Sequence, residues 1–364
     1  MSEDDNQVPS ALVAVATKAL TVRSAALIRR GLALAKSLQP GDAAAHYNLG
    51  VALSNKGDLD GAIAEWREAL RLNPNYGDAH YNLGVALWHK GDWDGAIAES
   101  REALRLNPNH DGAHYNLGTA LWHKGDWDGA IAEYHEALRL NPDNDRAHYN
   151  LAIYLENKSD WDGAIAESRQ ALRLNPNHDG AHYNLGTALW HKGDWDGAIA
   201  EWREALRLNP NYDGAHYSLG VALSHRGDWD GAIAEYHEEL RLNPNYDDAH
   251  YNLGVALGDK GDRDGAIAEY RTAIRLQPDY TLAHYNLGNA LRKKGDRDGA
   301  IAEYRTAIRL QPDLAAAHYN LSNALETKGD RQGALEESRT AYMLDPKNST
   351  YKRKHERLLQ RGTK

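Results

Sequence analysis

The chain has 364 residues, a formal charge of -10, no Cys, no Phe and two Met, although 42% of its residues are hydrophobic. The lack of Cys excludes disulfide bridges, thiolate zinc sites and a Cys nucleophile, and the lack of an apolar run of about 18 residues predicts no membrane span. The first residues are acidic and lack the basic and apolar regions of a signal peptide, which predicts a cytoplasmic protein.

The N-terminal part of the chain precedes its regular region. Residues 1–8 are acidic and polar, and we predict that they are disordered. Residues 9–42 have the pattern of a degenerate repeat, since the residue types at Ala35, Leu38 and Pro40 return in the same register in the first regular repeat. We predict that this segment forms helices that cap the N-terminal end. The alternative is an amphipathic helix that docks on a partner or on another copy of the chain.

The central part of the chain is repetitive. The motif Ala-His-Tyr-Asn-Leu-Gly starts at Ala45 and returns at a constant interval, as itself or as a close variant, without an insertion. A fixed period of about 34 residues is typical of stacked helical units. Because one unit has been copied, a residue that the unit lacks is rare everywhere, which explains the missing Phe and Cys. The sequence predicts nine repeats, numbered 1 to 9 below: 43–76, 77–110, 111–144, 145–178, 179–212, 213–246, 247–280, 281–314 and 315–348.

Each repeat is predicted to contain two helices, which repeat 2 illustrates. Apolar residues at helical spacing predict helix A in its first half. Gly91 and Asp92 then break that helix and cap helix B, which we expect over about residues 93–106. Pro108 follows because proline cannot continue a helix.

This unit resembles the tetratricopeptide repeat (TPR). The family has a Leu-Gly pair in helix A, two Ala in helix B and a Pro near the end, which correspond here to Leu83, Gly84, Ala96, Ala103 and Pro108. The resemblance implies an all-α fold, a right-handed α-solenoid in which helix A lines a concave groove. No single repeat buries its apolar face alone, so stability comes from contacts between repeats, and the ends need caps.

The repeats depart from the family pattern at two positions. His replaces the bulky aromatic residue near the start of helix A in all nine repeats, and we expect it to take over the packing role. Ser replaces the helix B aromatic in three repeats, which predicts looser packing there: Ser100, Ser168 and Ser338. The Trp that opens helix B in repeats 2 to 6 is expected to pack between repeats. In the last three repeats that position is basic: Arg263, Arg297 and Arg331.

Charge is uneven along the chain. Residues 349–364 are predicted to form a basic C-terminal capping helix and tail. Residues 281–364 contain 16 Lys and Arg against 10 Asp and Glu, a net charge of +6, so the rest of the chain carries -16. Nucleic-acid binding needs a continuous basic surface. The acidic body therefore predicts no nucleic-acid partner.

Two sets of residues are candidates for peptide binding. Two adjacent positions late in helix A vary among repeats that otherwise hardly differ, and exposed Trp residues are common binding hot spots. The alternative is that the Trp residues only shield neighbouring helices. The candidates at these positions are Trp88, His89, Trp122, His123, Trp190, His191, His225, Arg292 and Lys293.

The second set is an Asn in the middle of helix A, where Asn is a mediocre helix former. An amide can donate to a peptide carbonyl and accept from a peptide N–H at once. The column resembles the asparagine ladder of O-linked N-acetylglucosamine transferases, which implies an extended peptide in the groove. The alternatives are a structural Asn bonded to a neighbouring helix, or inheritance from one ancestral unit. The column comprises Asn48, Asn82, Asn116, Asn150, Asn184, Asn252, Asn286 and Asn320.

No motif supports catalysis or metal binding. The chain has no Gly-rich phosphate loop, nucleophile elbow or His-Glu-x-x-His sequence. His110 and His114 lie one helical turn apart in the sequence, as do His178 and His182, but no third ligand is fixed beside either pair. We therefore predict a protein that is not an enzyme and binds no metal or cofactor.

The leading hypothesis is a scaffold that binds an extended segment of another protein in its groove. The alternative is a self-assembling structural protein, because an imperfectly capped end could stack on another copy in homo-oligomers or filaments.

Overall fold

A computed structural model of the chain describes residues 42–362. These residues form helices and no strand, as in an all-α solenoid. Within each of the two halves given next, consecutive helices pack on one another. The described residues divide into two compact halves, which we describe separately: an N-terminal half that ends at Pro176 and a C-terminal half that begins at Asn177. The predicted disordered terminus and N-terminal cap, residues 1–41, lie outside the described residues. No helix among residues 42–362 is long and apolar enough to cross a membrane.

Within the described range the helices follow the predicted A and B pattern. The A helices are α1 Ala43–Ser54, α3 Gly77–His89, α5 Asp111–His123, α7 Asp145–Asn157, α9 Asp179–His191, α11 Ala215–His225, α13 Asp247–Lys260, α15 Thr281–Lys294 and α17 Ala315–Lys328. The B helices are α2 Leu59–Leu72, α4 Trp93–Leu106, α6 Trp127–Leu140, α8 Trp161–Leu174, α10 Trp195–Leu208, α12 Trp229–Leu242, α14 Arg263–Leu276, α16 Arg297–Leu310 and α18 Arg331–Leu344. A last helix, α19, spans Ser349–Gly362.

The turn between the two helices has the predicted chemistry. In repeat 2, Gly91 has a φ of 78°, a left-handed conformation that Gly adopts without a steric penalty. The Asp92 carboxylate then accepts a hydrogen bond from the backbone N–H of Gly95 at 3.0 Å and caps helix B. Helix B starts at Trp93 and ends at Leu106, as predicted.

Helices A and B of a repeat pack through a size-matched pair of residues. In repeat 8 a methyl group on Gly288 would lie 2.7 Å from the Tyr304 ring, so only glycine leaves room for that ring. In repeats 4 and 9, where Ser takes the ring position, Ala or Ser replaces the glycine. The predicted looser packing is wrong for these two repeats, because the larger residue on helix A fills the space. The pairs are Ala152 with Ser168 and Ser322 with Ser338, all four with an exposed fraction of 0%.

We expect Gly288→Ala to lower the free energy of unfolding by about 1 to 3 kcal/mol, as overpacking of a core does. The matched control is Gly84→Ala in repeat 2, where the closest atom to the new methyl group is the Ser100 hydroxyl oxygen at 3.2 Å and the next atoms lie 3.5 Å away. Urea denaturation of both variants checks this. Equal losses at Gly288 and Gly84 would contradict the size-matching explanation.

The C-terminal helix α19 covers the end of the C-terminal half. Leu358 joins the buried core that includes Leu321 and Leu325. Lys354 has an exposed fraction of only 5%, and its ammonium group donates to the Glu326 carboxylate and to Asn323. The basic character of this helix, noted from the sequence, therefore includes one buried ion pair.

Candidate peptide-binding groove

A large cavity lies along the A helices of the N-terminal half. It has a volume of about 550 Å³ and is lined by α3, α5 and the start of α7. Tyr81, Val85 and Trp88 form apolar walls, while Asn116 and Arg146 supply polar groups. No Asp or Glu lines it. Cavities of this size with few polar groups are typical of binding sites.

Two further cavities use the same repeat positions. In the N-terminal half, about 300 Å³ is enclosed between repeats 1 and 2, next to Asn82 and His89. In the C-terminal half, about 160 Å³ is enclosed between repeats 7 and 8, next to Asn286 and Lys293. At these cavities three residues of the Asn column, Asn82, Asn116 and Asn286, lie next to residues from the variable end of helix A. The other candidate residues line none of these three cavities.

Two buried hydrogen-bond donors at the large cavity have no protein partner. They are the indole Nε1 of Trp88 and the amide Nδ2 of Asn116. A buried donor left without a partner costs about 1 to 3 kcal/mol, and buried polar groups in native proteins are almost always paired. Both residues, Trp88 and Asn116, line the cavity. Arg146 also forms no ion pair with any residue in the described range.

Most Asn residues of the column bond to a neighbouring helix, which was one of the alternatives to peptide binding. In five repeats the amide Nδ2 donates to the hydroxyl of the helix A Tyr one repeat earlier, at 2.9 to 3.1 Å. These Asn residues therefore link neighbouring repeats. Asn116 and Asn184 differ, since each Nδ2 is buried without a protein partner, and Asn48 is exposed. The five pairs are Asn82–Tyr47, Asn150–Tyr115, Asn252–Tyr217, Asn286–Tyr251 and Asn320–Tyr285.

The late helix A tryptophans are half-buried in aromatic clusters. Trp122 stacks on Tyr154 of the next repeat, with ring centroids 4.0 Å apart, and on Trp127 at 5.4 Å. Trp190 lies 5.6 Å from His225 of the next repeat. The shielding role left open by the sequence is therefore present, although part of each ring remains accessible.

The Trp that opens helix B belongs to the same clusters. Trp93 stacks on His123 of the next repeat at 4.1 Å, so it does pack between repeats. Two members are nevertheless largely exposed, Trp127 by 44% and Trp195 by 42%, and the equivalent Arg263 lines the cavity between repeats 7 and 8. The sequence analysis expected this position to pack between repeats and did not include it among the groove candidates. The signal that could have found it is that the position varies between repeats, as the late helix A positions do.

In repeat 4 a carboxyl group replaces the late Trp. Burial raises the pKa of Glu156 to about 8, and its Oε1 has no hydrogen-bond partner. This side chain is therefore mainly neutral near pH 7, which avoids the cost of a buried unpaired charge.

The repeated His forms a bridge that its spacing alone did not reveal. In all nine repeats its Nδ1 lies 2.5 to 2.6 Å from the carboxylate of a Glu on helix B, always at the same sequence separation. In repeat 2, Nε2 of His80 also donates to the carbonyl oxygen of Pro74, at 3.0 Å. The expected aromatic-like packing is thus replaced by a polar bridge. The pairs are His46–Glu65, His80–Glu99, His114–Glu133, His148–Glu167, His182–Glu201, His216–Glu235, His250–Glu269, His284–Glu303 and His318–Glu337.

The His pairs considered for metal binding have other contacts. His110 accepts a hydrogen bond from the backbone N–H of Ala113 and caps α5, while His114 bridges to Glu133. Among the described residues, no group of three or more His, Asp or Glu is placed to hold a metal ion.

Comparison with family models identifies the repeat. A tetratricopeptide repeat model matches residues 23–66, 53–111, 98–145, 115–179, 149–213 and 183–247. Related models match 256–295 and 288–329 and 315–348. Because these matches cover well over half of the sequence, the chain belongs to the tetratricopeptide repeat family. Its repeats support a role as a protein–protein interaction scaffold, and proteins built from such repeats are generally non-catalytic.

Two of the similar solved structures show the same fold. A TPR repeat-containing protein from Cytophaga hutchinsonii is similar with a TM-score of 0.56 and 15% identity, over 66% of this chain and 98% of that chain. The pilF protein of Pseudomonas aeruginosa has a TM-score of 0.50 and 22% identity, over 56% and 92%. MamA is 29% identical, over 46% and 98%, with a TM-score of 0.44. The comparison with curated proteins found no matching relative.

Proposed function

We propose that this chain is a non-catalytic scaffold that binds an extended peptide segment of a partner protein along its A helices. The observation that carries the proposal is the cavity of about 550 Å³ with two unpaired donors, Trp88 Nε1 and Asn116 Nδ2. A peptide carbonyl at this place would accept from either donor, and the walls formed by Tyr81 and Val85 would hold an apolar side chain.

The rest of the Asn column also supports peptide binding. In the five repeats where Nδ2 donates to Tyr, the amide oxygen makes no hydrogen bond to another residue of the described range, as in Asn82 and Asn286. That oxygen is a suitable acceptor for a peptide N–H. Acceptors along the column and unpaired donors at Asn116 would together match an extended backbone.

Asn116→Ala tests the proposal, because it removes an unpaired donor and breaks no protein contact. Wild type is first used to select binders from an immobilised library of short peptides of known sequence. We expect Asn116→Ala to weaken the selected peptides about tenfold or more, as loss of a hydrogen bond at a desolvated site does. Trp88→Phe, which keeps a ring and removes the N–H, should weaken them to a similar extent. Fluorescence anisotropy measures both.

The matched control is Asn141→Ala, an Asn outside the column whose amide donates to the Asp111 carboxylate at 2.8 Å. This change should lower the free energy of unfolding by about 1 kcal/mol and leave binding at the N-terminal cavity unchanged. If the library yields no binder, or if Asn116→Ala and Asn141→Ala both bind the selected peptides as wild type does, the proposal is wrong.

The self-assembly alternative receives no comparable support at the C-terminal end. Helix α19 covers that end with the buried Lys354 and Leu358, and an end that is already covered leaves less apolar surface for stacking.

A further inference from the structure

In the C-terminal half, the residue types at the late helix A positions and at the first position of helix B change along the chain. These are called the groove positions below. Repeat 5 places Trp190 and Trp195 there, with His225 of repeat 6 beside them. Repeat 7 has Gly258 and Arg263 at the positions of those two Trp residues. In the cavity between repeats 7 and 8, Arg263 therefore stands at the position of Trp195, and Tyr270 remains as an aromatic residue of the lining.

Two unpaired cations line this cavity. Arg263 comes from the start of helix B of repeat 7, and Lys293 comes from helix A of repeat 8. Both side chains are exposed, and neither forms an ion pair with any residue among 42–362. Asn286 and Asn289 add amide groups, and Asp259 is the one carboxylate in the lining. The space of about 160 Å³ is comparable to a cavity that holds benzene, which is enough for one short acidic side chain.

The carboxylates closest in sequence to these cations have other partners. Asp262 caps α14 by accepting from the backbone N–H of Gly265 at 2.9 Å. Asp264 pairs with Lys294 at 2.6 Å. Arg263 therefore forms no ion pair among residues 42–362, and Asp259 is the one carboxylate that shares the cavity with it.

The next repeat extends the basic surface. Arg292 precedes Lys293 in α15, and Arg297 opens α16, both exposed. The two acidic neighbours of Arg297 have other partners, like those of Arg263. Asp296 caps α16, and Asp298 pairs with Lys328. Four cations thus occupy groove positions in repeats 7 and 8, whereas repeats 1 to 4 have none at the equivalent positions. The net charge of the whole chain is -10, so this cluster of positive charge is confined to one part of the protein.

We propose that the groove of repeats 7 and 8 binds the acidic part of a partner segment, with Asp or Glu side chains between Arg263 and Lys293 and beside Arg292 and Arg297. The inference rests on the proposed peptide-binding function and adds the chemical class of the segment. Charge complementarity carries it, because an exposed cation pair next to an enclosed space attracts a carboxylate and repels a basic segment.

The test uses variants that copy other repeats of the same chain. Arg263→Trp with Lys293→His installs the residues that stack as Trp93 and His123 in repeats 2 and 3, so the scaffold is expected to tolerate them. The control, Arg271→Gln with Arg305→Gln, removes two charges from helix B residues that line none of the described cavities. The probe is a labelled extended peptide with several Glu residues, compared with the same peptide carrying Gln and with one carrying phosphoserine.

We expect the full-length protein to bind the Glu peptide at low salt, and the Arg263→Trp and Lys293→His variant to bind it at least tenfold more weakly. The control variant should stay within twofold, and the Gln peptide should not distinguish the variants. Deleting the acidic residues 1–8, which could occupy the site from another copy, should change nothing. Equal binding by wild type and the groove variant, an equal loss in the control variant, or binding of the phosphoserine peptide alone would overturn the proposal. If wild type does not bind the Glu peptide but still binds the peptides selected at the N-terminal cavity, this inference is wrong and the proposed function stands.

Discussion

Raising the pH from about 6 to 9 should destabilise this protein. In each repeat a His joins helix A to helix B through a Glu carboxylate, and in most described repeats its second nitrogen donates to a proline carbonyl, as for His284 with Glu303 and Pro278. An ionised carboxylate and a carbonyl both accept, so both ring nitrogens must carry hydrogen. The geometry therefore favours the charged form of His284.

The pKa shifts agree with this geometry. The hydrogen bond to Glu303 raises the pKa of His284, although burial opposes it, and His216 behaves in the same way with Glu235. For His148 and His318, burial acts to lower the pKa, but the bonds to Glu and to the proline carbonyl outweigh it and the net shift is upward.

The sign of the effect follows from these upward shifts. A His whose pKa is higher in the folded state binds more protons there than in the unfolded chain, so stability falls as pH rises. Its contribution is complete below the unfolded value of about 6.5 and is lost as pH passes the raised folded pKa. Glu156, whose pKa burial raises to about 8, acts with the same sign, because the folded state keeps its proton and the unfolded chain does not.

Each lost proton removes about one hydrogen bond, worth about 1 kcal/mol. Four such histidines would together lower the free energy of unfolding by about 4 kcal/mol, or Tm by roughly 6 °C at the usual unfolding entropy per residue. Thermal unfolding followed by circular dichroism at pH 6, 7, 8 and 9 measures this dependence.

A combined variant isolates the bridges from Glu156. It changes four bridging residues to Gln, which still accepts a hydrogen bond but carries no charge, and it leaves Glu156 in place. The pH dependence of Tm should become clearly shallower. The control variant is His89→Gln, which changes an exposed histidine that belongs to no bridge. It should leave the pH dependence of Tm as in wild type. A pH dependence that the Glu→Gln variant does not alter would rule out the bridges as its cause. The four changes are Glu167→Gln, Glu235→Gln, Glu303→Gln and Glu337→Gln.

The second large effect concerns the C-terminal helix. Leu358 is exposed by 6% and packs into the core of repeats 7 to 9, whereas the adjacent Leu359 is exposed by 46%. Leu358→Ala should lower the free energy of unfolding by about 2 to 3 kcal/mol, the lower part of the range for buried Leu→Ala changes. In a solenoid that loss falls on the terminal repeats first, because each repeat is stabilised by its neighbours.

Leu359→Ala is the control and should cost well under about 1 kcal/mol. Hydrogen exchange should show faster exchange in α17 and α18 for Leu358→Ala only. Sedimentation velocity adds a further readout, because an uncovered apolar end favours association between copies. If Leu358→Ala and Leu359→Ala have equal stability and equal exchange in α18, then α19 does not cap the solenoid as its contacts indicate.

The helices and turns were predictable because they depend on local chemistry. The constant period fixed the repeats, and Asp92 after Gly91 fixed the start of helix B at Trp93. The partner of each repeated His was not recognised, although a Glu recurs in every repeat at the same distance along the chain from that His. Periodicity alone does not tell which of several invariant polar residues meet across the two helices of a repeat.

The candidate groove was predictable in part. The Asn column and the variable end of helix A do meet at three cavities. The sequence could not tell which Asn is satisfied within the protein, because the Tyr that accepts from Asn82 is 35 residues earlier. The sequence analysis also expected the Trp at the first position of helix B to pack between repeats. In the structure, however, Trp127 is exposed by 44% and Trp195 by 42%.

The sequence by itself determined that this chain is a repeat protein, since one unit copied nine times makes its helices, caps and apolar faces nearly identical. Only the tertiary structure decided which copies of the same residue keep an unpaired hydrogen-bond donor. Asn116 and Asn286 occupy the same repeat position, yet Asn116 has a buried donor without a partner and Asn286 donates to Tyr251. The difference arises from packing between neighbouring repeats, where small changes in the surrounding side chains decide whether a hydrogen bond closes or a cavity opens.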